Sequence, residues 1–234
     1  MKKIKIFADG ADLYSIKRLL KNKLVKGFTT NPTLMRKAGV TNYEIFSKTV
    51  AKLVYPKSVS LEVFSDDLNE MYSQAKIISS WGKNIFVKIP IINTMGLSTN
   101  RIVKKLSDEK VNLNITAIFT FKQIKDVIKV LNKNSNTILS IFAGRIADSG
   151  RDASSIIRES VNYIKSSKKN FKVLWASVRE IYNLYEANNC GSGIITITPE
   201  LISKIKIRNK DLDQYSIETS KMFYDDALKH KINI

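Results

Sequence analysis

The feature that most limits how this chain can fold is an alternation repeated eight times. Short runs rich in β-branched and aromatic residues occur at Ile4–Ala8, Leu24–Thr29, Val59–Phe64, Ile85–Ile89, Asn112–Ile118, Thr137–Phe142, Val173–Ala176 and Ile194–Ile197. Between them apolar residues recur at helical spacing, as in Leu13–Lys21, Tyr43–Leu53, Leu68–Trp81, Asn100–Leu106, Phe121–Leu131, Ala153–Ile164 and Arg179–Asn188. A short helix from Pro199 and a last one over Asp211–Leu228 complete the pattern. Strands alternating with helices imply a parallel sheet with covered faces. Eight such units in 234 residues match one turn of a (β/α)8 TIM barrel, with residues 1–234 as a single domain and a C-terminal helix. An open doubly wound sheet is the alternative. It more often has fewer strands and a glycine-rich first loop. Neither GxGxxG nor GxxxxGK[ST] occurs here.

Composition narrows the chemistry. The chain has one cysteine, Cys190, and one histidine, His230. An intrachain disulfide is excluded, and a Cys/His metal site or a histidine-based triad has almost no material. No metal and no cofactor is expected. No run approaches the ~18 apolar residues of a membrane helix, and the N-terminus lacks a signal-peptide pattern. A cytoplasmic protein without a membrane partner is the expectation. The formal charge is +18. The lysines are scattered over apparent helix faces, so a solvated surface is expected and no nucleic acid partner.

In a barrel, chemistry gathers at the C-terminal strand ends. There the sequence offers Asp9, Thr29, Asn31, Glu62, Lys88, Asn114, Thr116, Ser140, Phe142, Arg145, Ser177 and Arg179. Lys88 stands out because it interrupts the apolar run IFVKIP. A lysine buried in a strand is disfavoured as an ammonium, and a neutral amine can attack a carbonyl to form an iminium. A solvent-facing strand lysine or a structural ion pair is the plain alternative. Asp9 and Glu62 supply carboxylates for proton transfer, although Asp9 before Gly10 also suits a helix cap. Arginine forks such as those of Arg145 and Arg179 match phosphate oxygens, with surface ion pairs as the alternative.

The ordered segments GFTTNPTL, EVF, FVKIP, LNITAIF, SIFAGRI and WASVRE resemble the transaldolase family, from Asp9 to about Pro199. The resemblance is to its small subgroup, which includes fructose-6-phosphate aldolases. It implies a Schiff-base mechanism with Lys88 as the imine lysine and Asp9 as the acid/base residue. Glu62 and Thr116 match a pair that holds a catalytic water. Thr29, Asn31, Asn114, Ser140 and Phe142 match substrate contacts, and Arg145, Ser177 and Arg179 match a phosphate site. The implied reaction moves a dihydroxyacetone unit between phosphorylated sugars in the pentose phosphate pathway. The aldolases carry Gln where this chain has Glu62 and Tyr where it has Phe142, which leans toward transfer. Family members also suggest a homo-oligomer. A non-catalytic phosphosugar- or nucleic-acid-binding barrel is the reading from a different class. Against the family pattern stand Ser65-Asp66-Asp67 after EVF, Trp175, and a longer loop Asn93–Thr99 expected beside the imine. Trp175 is expected either to fill the barrel or to narrow its pocket.

Overall fold

The computed structural model describes residues 4–230. The chain forms two compact units, one up to Ile202 and one from Ser203. In the first, eight parallel strands close into a barrel in chain order. They are β1 (Lys5–Asp9), β2 (Val25–Thr29), β3 (Ser58–Glu62), β4 (Ile85–Pro90), β5 (Leu113–Ile118), β6 (Thr137–Ile141), β7 (Lys172–Trp175) and β8 (Ile194–Ile197). The helices between them are α1 (Leu13–Leu20), α2 (Pro32–Lys37), α3 (Tyr43–Val54), α4 (Leu68–Ser80), α5 (Asn100–Asp108), α6 (Phe121–Val130), α7 (Ala143–Asp148), α8 (Ala153–Ser166) and α9 (Asn183–Asn189). Helix α10 (Pro199–Lys204) follows β8. The second unit carries a 3-10 turn at Ile205–Ile207 and α11 (Leu212–Lys229), no described residue of which is buried.

The eight expected strands are all present, with no end moved by more than two residues. Helices α2 and α7, six residues each, carry too short an apolar period to be marked in the sequence. The helix expected from Arg179 begins at Asn183 instead, because Asn183 folds back to accept the backbone N–H of Arg179 at 2.9 Å. Arg179 therefore lies in a loop.

Strand alternation divides the core in two. Inside the barrel, Phe7, Phe86, Ile138, Leu174, Ala176 and Ile194 pack into one cluster. Burying an aliphatic or aromatic side chain this fully is worth roughly 1.5–3 kcal/mol. Gly27 makes the Phe7 ring possible there, since a Cβ on it would stand 2.7 Å from that ring. The opposite strand faces turn out and bury against the helices. Side-chain caps start four of the helices that follow strands: Asp12 accepts from Ser15 N, Asn31 from Leu34 N and Asp67 from Glu70 N, and Thr120 forms a capping box with Gln123. These caps fix where each loop leaves the strand ends. No described helix is long and apolar enough to cross a membrane.

Candidate active site

At the C-terminal strand ends a cavity of about 420 Å³ opens, and Asp9, Thr29, Asn31, Glu62, Lys88, Asn114, Thr116, Ser140, Phe142, Arg145, Ser177 and Arg179 all line it. Inward positions of adjacent strands bring Asp9, Thr29, Glu62, Lys88, Asn114, Thr116 and Ser140 together, and the loops and short helices beyond the strand ends carry the other five.

Glu62 on β3 and Lys88 on β4 are register partners. The Lys88 side chain is buried, with the residue 7% exposed. Its Nζ donates to Glu62 Oε2 at 2.9 Å and to the carbonyl of Thr30 at 2.9 Å. The amine is thus a buried charge with two acceptors. A buried ammonium without such partners would carry a large desolvation cost. The backbone of Glu62 is itself held, because the Tyr43 hydroxyl donates to its carbonyl at 2.8 Å. Burial pushes the Tyr43 hydroxyl pKa up, so it stays a donor.

Asp9 ends β1 beside Thr29, its register partner on β2. Thr29 Oγ1 donates to Asp9 Oδ1 at 2.7 Å and lies 2.5 Å from Thr196 Oγ1 on β8. Burial raises the pKa of Asp9 above the ordinary carboxylate range. The Thr29 hydrogen bond and the Lys88 charge pull it down, and the Glu62 charge pushes it up. Asp9, Lys88 and Glu62 thus form one electrostatic group.

Across the cavity floor, Ser140 Oγ donates to Asn114 Oδ1 at 2.6 Å, and Asn114 Nδ2 donates to Ser60 Oγ at 3.0 Å. This chain fixes which end of the Asn114 amide faces which strand. Two residues on, β5 bulges. Its pairing with β6 shifts between Ile115 and Ile118, and Ala117 takes a left-handed φ of 55°. Bulges re-aim side chains. Here the Thr116 hydroxyl lines the cavity, buried and without a hydrogen-bond partner among the described residues. Asn31 spends its Oδ1 on capping α2, at 3.0 Å from Leu34 N, and keeps its amide N–H groups for the cavity.

The rim is built differently. Phe142 is the residue before α7, and its ring lies 5.7 Å from Phe119. Arg145, on α7, stacks over the Phe142 ring at 5.8 Å and makes no ion pair among the described residues. Ser177, just past β7, has φ 63°. Arg179 is held by both carboxylate oxygens of Asp148, at the end of α7. For Arg179 the sequence allows either a phosphate donor or a surface ion pair. Its guanidinium is half exposed and carries that ion pair while lining the cavity.

Two expectations need correction. Trp175 neither fills the barrel nor narrows the pocket. Leu174 and Ala176 line the cavity, so Trp175 between them points outward, where it is 3% exposed with its Nε1 unpartnered among the described residues. Loop Asn93–Thr99 does not line the cavity. Asp66 draws it aside by accepting from Thr94 N at 2.8 Å and Thr94 Oγ1 at 2.6 Å.

Sequence reasoning missed Thr196, Ser60 and the Thr30 carbonyl. Thr196 carried a signal of the kind that exposed Lys88: it is a polar residue inside the apolar run IITI. Among the described residues no group of three or more His, Cys, Asp or Glu side chains could hold a metal ion.

The family model described as transaldolase/fructose-6-phosphate aldolase matches residues 6–234. A protein named "Probable transaldolase" from Dehalococcoides mccartyi is 33% identical over 202 residues, covering 86% of this chain and 90% of that one. Its namesake from Nitrosopumilus maritimus is 33% identical over 207 residues, covering 86% and 87%. Among solved structures, KGPDC from Streptococcus mutans superposes with a TM-score of 0.56 at 10% identity, covering 83% of this chain and 88% of that one. Thiamine phosphate pyrophosphorylase from Pyrococcus furiosus gives 0.54 at 12%, covering 84% and 86%. At such low identity these two structures speak for the barrel fold alone. The family match across the barrel and the relatives at one-third identity establish that this chain belongs to the transaldolase/fructose-6-phosphate aldolase family.

Proposed function

We propose that this protein is a transaldolase that carries a dihydroxyacetone unit from a ketose phosphate to an aldose phosphate as an imine on Lys88. The observation that carries this reading is the buried Lys88 amine, within hydrogen-bond reach of Glu62 and electrostatically coupled to Asp9.

The amine must first lose a proton, and Glu62 is the acceptor at hand. The neutral nitrogen then attacks the ketone carbon C2 of the donor. Loss of that oxygen as water leaves an iminium, which draws electrons from the C3–C4 bond. The Thr116 hydroxyl and Glu62 serve a water that shuttles protons during this dehydration. Asp9 takes the proton of the C4 hydroxyl as C3–C4 breaks, and the shortened aldehyde leaves. Its raised pKa makes it a stronger base for that task. The C3 enamine then attacks a second aldehyde, Asp9 returns the proton, and water frees the new ketose. Asn31, Asn114 and Ser140 orient the sugar hydroxyls. Arg145, Ser177 and Arg179 bind the phosphate at the far end.

Release of free dihydroxyacetone would need a proton at C3. The Phe142 ring has none to give, so the enamine waits for an acceptor aldehyde. Borohydride reduction in the presence of fructose 6-phosphate should add a reduced three- or six-carbon fragment to Lys88, read by mass spectrometry. An adduct on another lysine, or one that persists in Lys88→Ala, would overturn the reading. Turnover of fructose 6-phosphate should need erythrose 4-phosphate; steady release of dihydroxyacetone without it would make the protein an aldolase.

A further inference from the structure

Asp9 must be comfortable in two states, because in the proposed reaction it takes a proton and later returns it. Thr29 and Thr196 flank it from the two strands that border β1. Asp9 pairs in register with Thr29 on β2, and Thr196 on β8 pairs with Phe7, two residues before Asp9. Both threonines are buried, and both line the cavity. Their oxygens stand 2.5 Å apart, and Thr29 Oγ1 is 2.7 Å from Asp9 Oδ1.

Counting hydrogens gives this chain a direction. A hydroxyl has one proton to donate, and an ionised carboxylate only accepts. With Asp9 ionised, the Thr29 proton is committed to Asp9. The contact between the two threonines then requires the proton of Thr196. Its hydroxyl therefore donates to Thr29 and polarises the bond that Thr29 makes to the carboxylate. With Asp9 protonated on Oδ1 the order reverses. Asp9 donates to Thr29, and Thr29 donates to Thr196. Two hydroxyl rotations accomplish the change. Each threonine keeps its own hydrogen, and no proton crosses the pair.

We propose that Thr196 is a positioning residue for Asp9, acting through Thr29 as the far member of a reversible two-hydroxyl chain that keeps the carboxyl group hydrogen-bonded both before and after it takes the substrate proton. This rests on the role proposed for Asp9 above. Other charges also act on Asp9. Lys88 and Glu62 face it across the barrel, and Asp12, Lys37 and Glu200 line an adjoining cavity of about 240 Å³ that reaches it. Arg145 and Arg179 stand at the rim of the main cavity. None of these is changed by a substitution at Thr196, so a shift produced there reports the hydroxyl chain.

The test is the pH–rate profile of kcat/KM for fructose 6-phosphate with erythrose 4-phosphate, in the full-length protein and in Thr196→Val. Valine keeps the shape and removes the hydroxyl. Without the hydroxyl of Thr196 both states of Asp9 lose support, and the ionised one loses more, because hydrogen bonds to a charged group are the stronger ones. The acid limb should move up by roughly 0.5–1 pH unit, a ~3–10-fold loss on the acid side with a smaller change on the plateau. Thr196→Ser should restore the wild-type limb. Thr196→Ala serves as the second variant should valine not fold, with the same shift expected. A superimposable profile in the variant that folds, or a shift that serine does not reverse, would overturn the proposal. Borohydride trapping separates the two readings. Loss of the Lys88 adduct in the wild-type protein sinks the imine mechanism itself. A normal adduct with an unmoved profile sinks only the role of Thr196.

Discussion

Gly144→Ala is the sharpest single perturbation of the rim. A Cβ at position 144 would lie 1.5 Å from the carbonyl oxygen of Ser177 and 2.7 Å from its carbonyl carbon. Side-chain carbons essentially never approach closer than 3.0 Å, so α7 and the end of β7 must part by about 1.5 Å. Both clashing atoms are backbone, and no rotamer relieves them. The bond from Gly144 N to Ala176 O, already 3.3 Å, would break. Arg145 would move with α7, while Ser177 stays with β7. Lys88, Glu62 and Asp9 sit on β4, β3 and β1, away from this seam. Overpacking of this kind costs about 1–3 kcal/mol, and Tm should fall by roughly 2–12 °C. A misplacement of about 1 Å can cost on the order of 100-fold in rate. The expected result is a ~30–100-fold fall in kcat/KM for fructose 6-phosphate, against less than ~5-fold for unphosphorylated fructose. The assay is steady-state kinetics on the two donors with one acceptor, beside a thermal melt. Equal losses on both donors would refute the assignment of α7 and Ser177 to the phosphate end.

Arg145→Ala and Arg179→Ala should raise KM for phosphorylated donors by about 10-fold or more, with kcat within a few-fold, since each removes a charge-assisted contact. Asp148→Asn, which loosens Arg179 without touching the cavity, should raise the same KM by less; a fall in KM would mean that Asp148 competes with phosphate. Asp9→Asn should leave the Lys88 adduct and slow carbon–carbon cleavage by on the order of 100-fold or more. It should also stabilise the fold near neutral pH. Because the Asp9 pKa is raised in the folded state, folding favours its protonated form, and stability is lost as pH rises from the ordinary value of 3.8 through the folded one. The Tm advantage of Asp9→Asn should therefore be largest at neutral pH and close as pH falls toward 3.8; an advantage that grows in acid contradicts the sign. Lys88→Met leaves the partly buried Glu62 without its cation and should cost about 1–3 kcal/mol in urea unfolding, less than a fully buried pair would. Adding Glu62→Gln should recover most of it. A Lys88→Met variant as stable as wild type would show that the pair contributes nothing.

The barrel was legible because it repeats. Eight strand–helix units leave few other ways to bury so many apolar runs. Lys88 was legible for a related reason: a charge within IFVKIP breaks a pattern, and the break is informative. Thr196 breaks IITI in the same way, but threonine is common in strands and the break reads as ordinary. The Arg179–Asp148 pair could not be read, since it joins residues 31 apart through the closeness of α7 to β7. That closeness depends on Gly144, whose role is the space it leaves empty. Trp175 and loop Asn93–Thr99 were read by proximity in sequence to site residues. Strand alternation turned the first outward, and Asp66 holds the second aside. One-residue alternation and a contact between successive loops were enough to undo both readings.

The site divides into a floor and a rim held by different forces. On the floor most polar side chains are tied to a strand one or two places away: Lys88 to Glu62, Asn114 to Ser60 and Ser140, and Asp9 to Thr29 and on to Thr196. Those ties span β8, β1, β2, β3, β4, β5 and β6, so closure of the barrel itself fixes their geometry. The chemistry proposed for Lys88 and Asp9 requires such fixity, because an imine and a proton acceptor must keep their separation through bond breaking. The rim hangs on a short helix, one loop and a half-exposed ion pair. Residues held that way can change without disturbing the ring beneath them. Substrate preference in this protein should therefore respond to substitutions at Arg145 and Arg179, and the reaction class should not. A rim variant that altered the acid limb of the pH profile, or a floor variant that changed only the choice of sugar, would mean that the two layers are mechanically coupled.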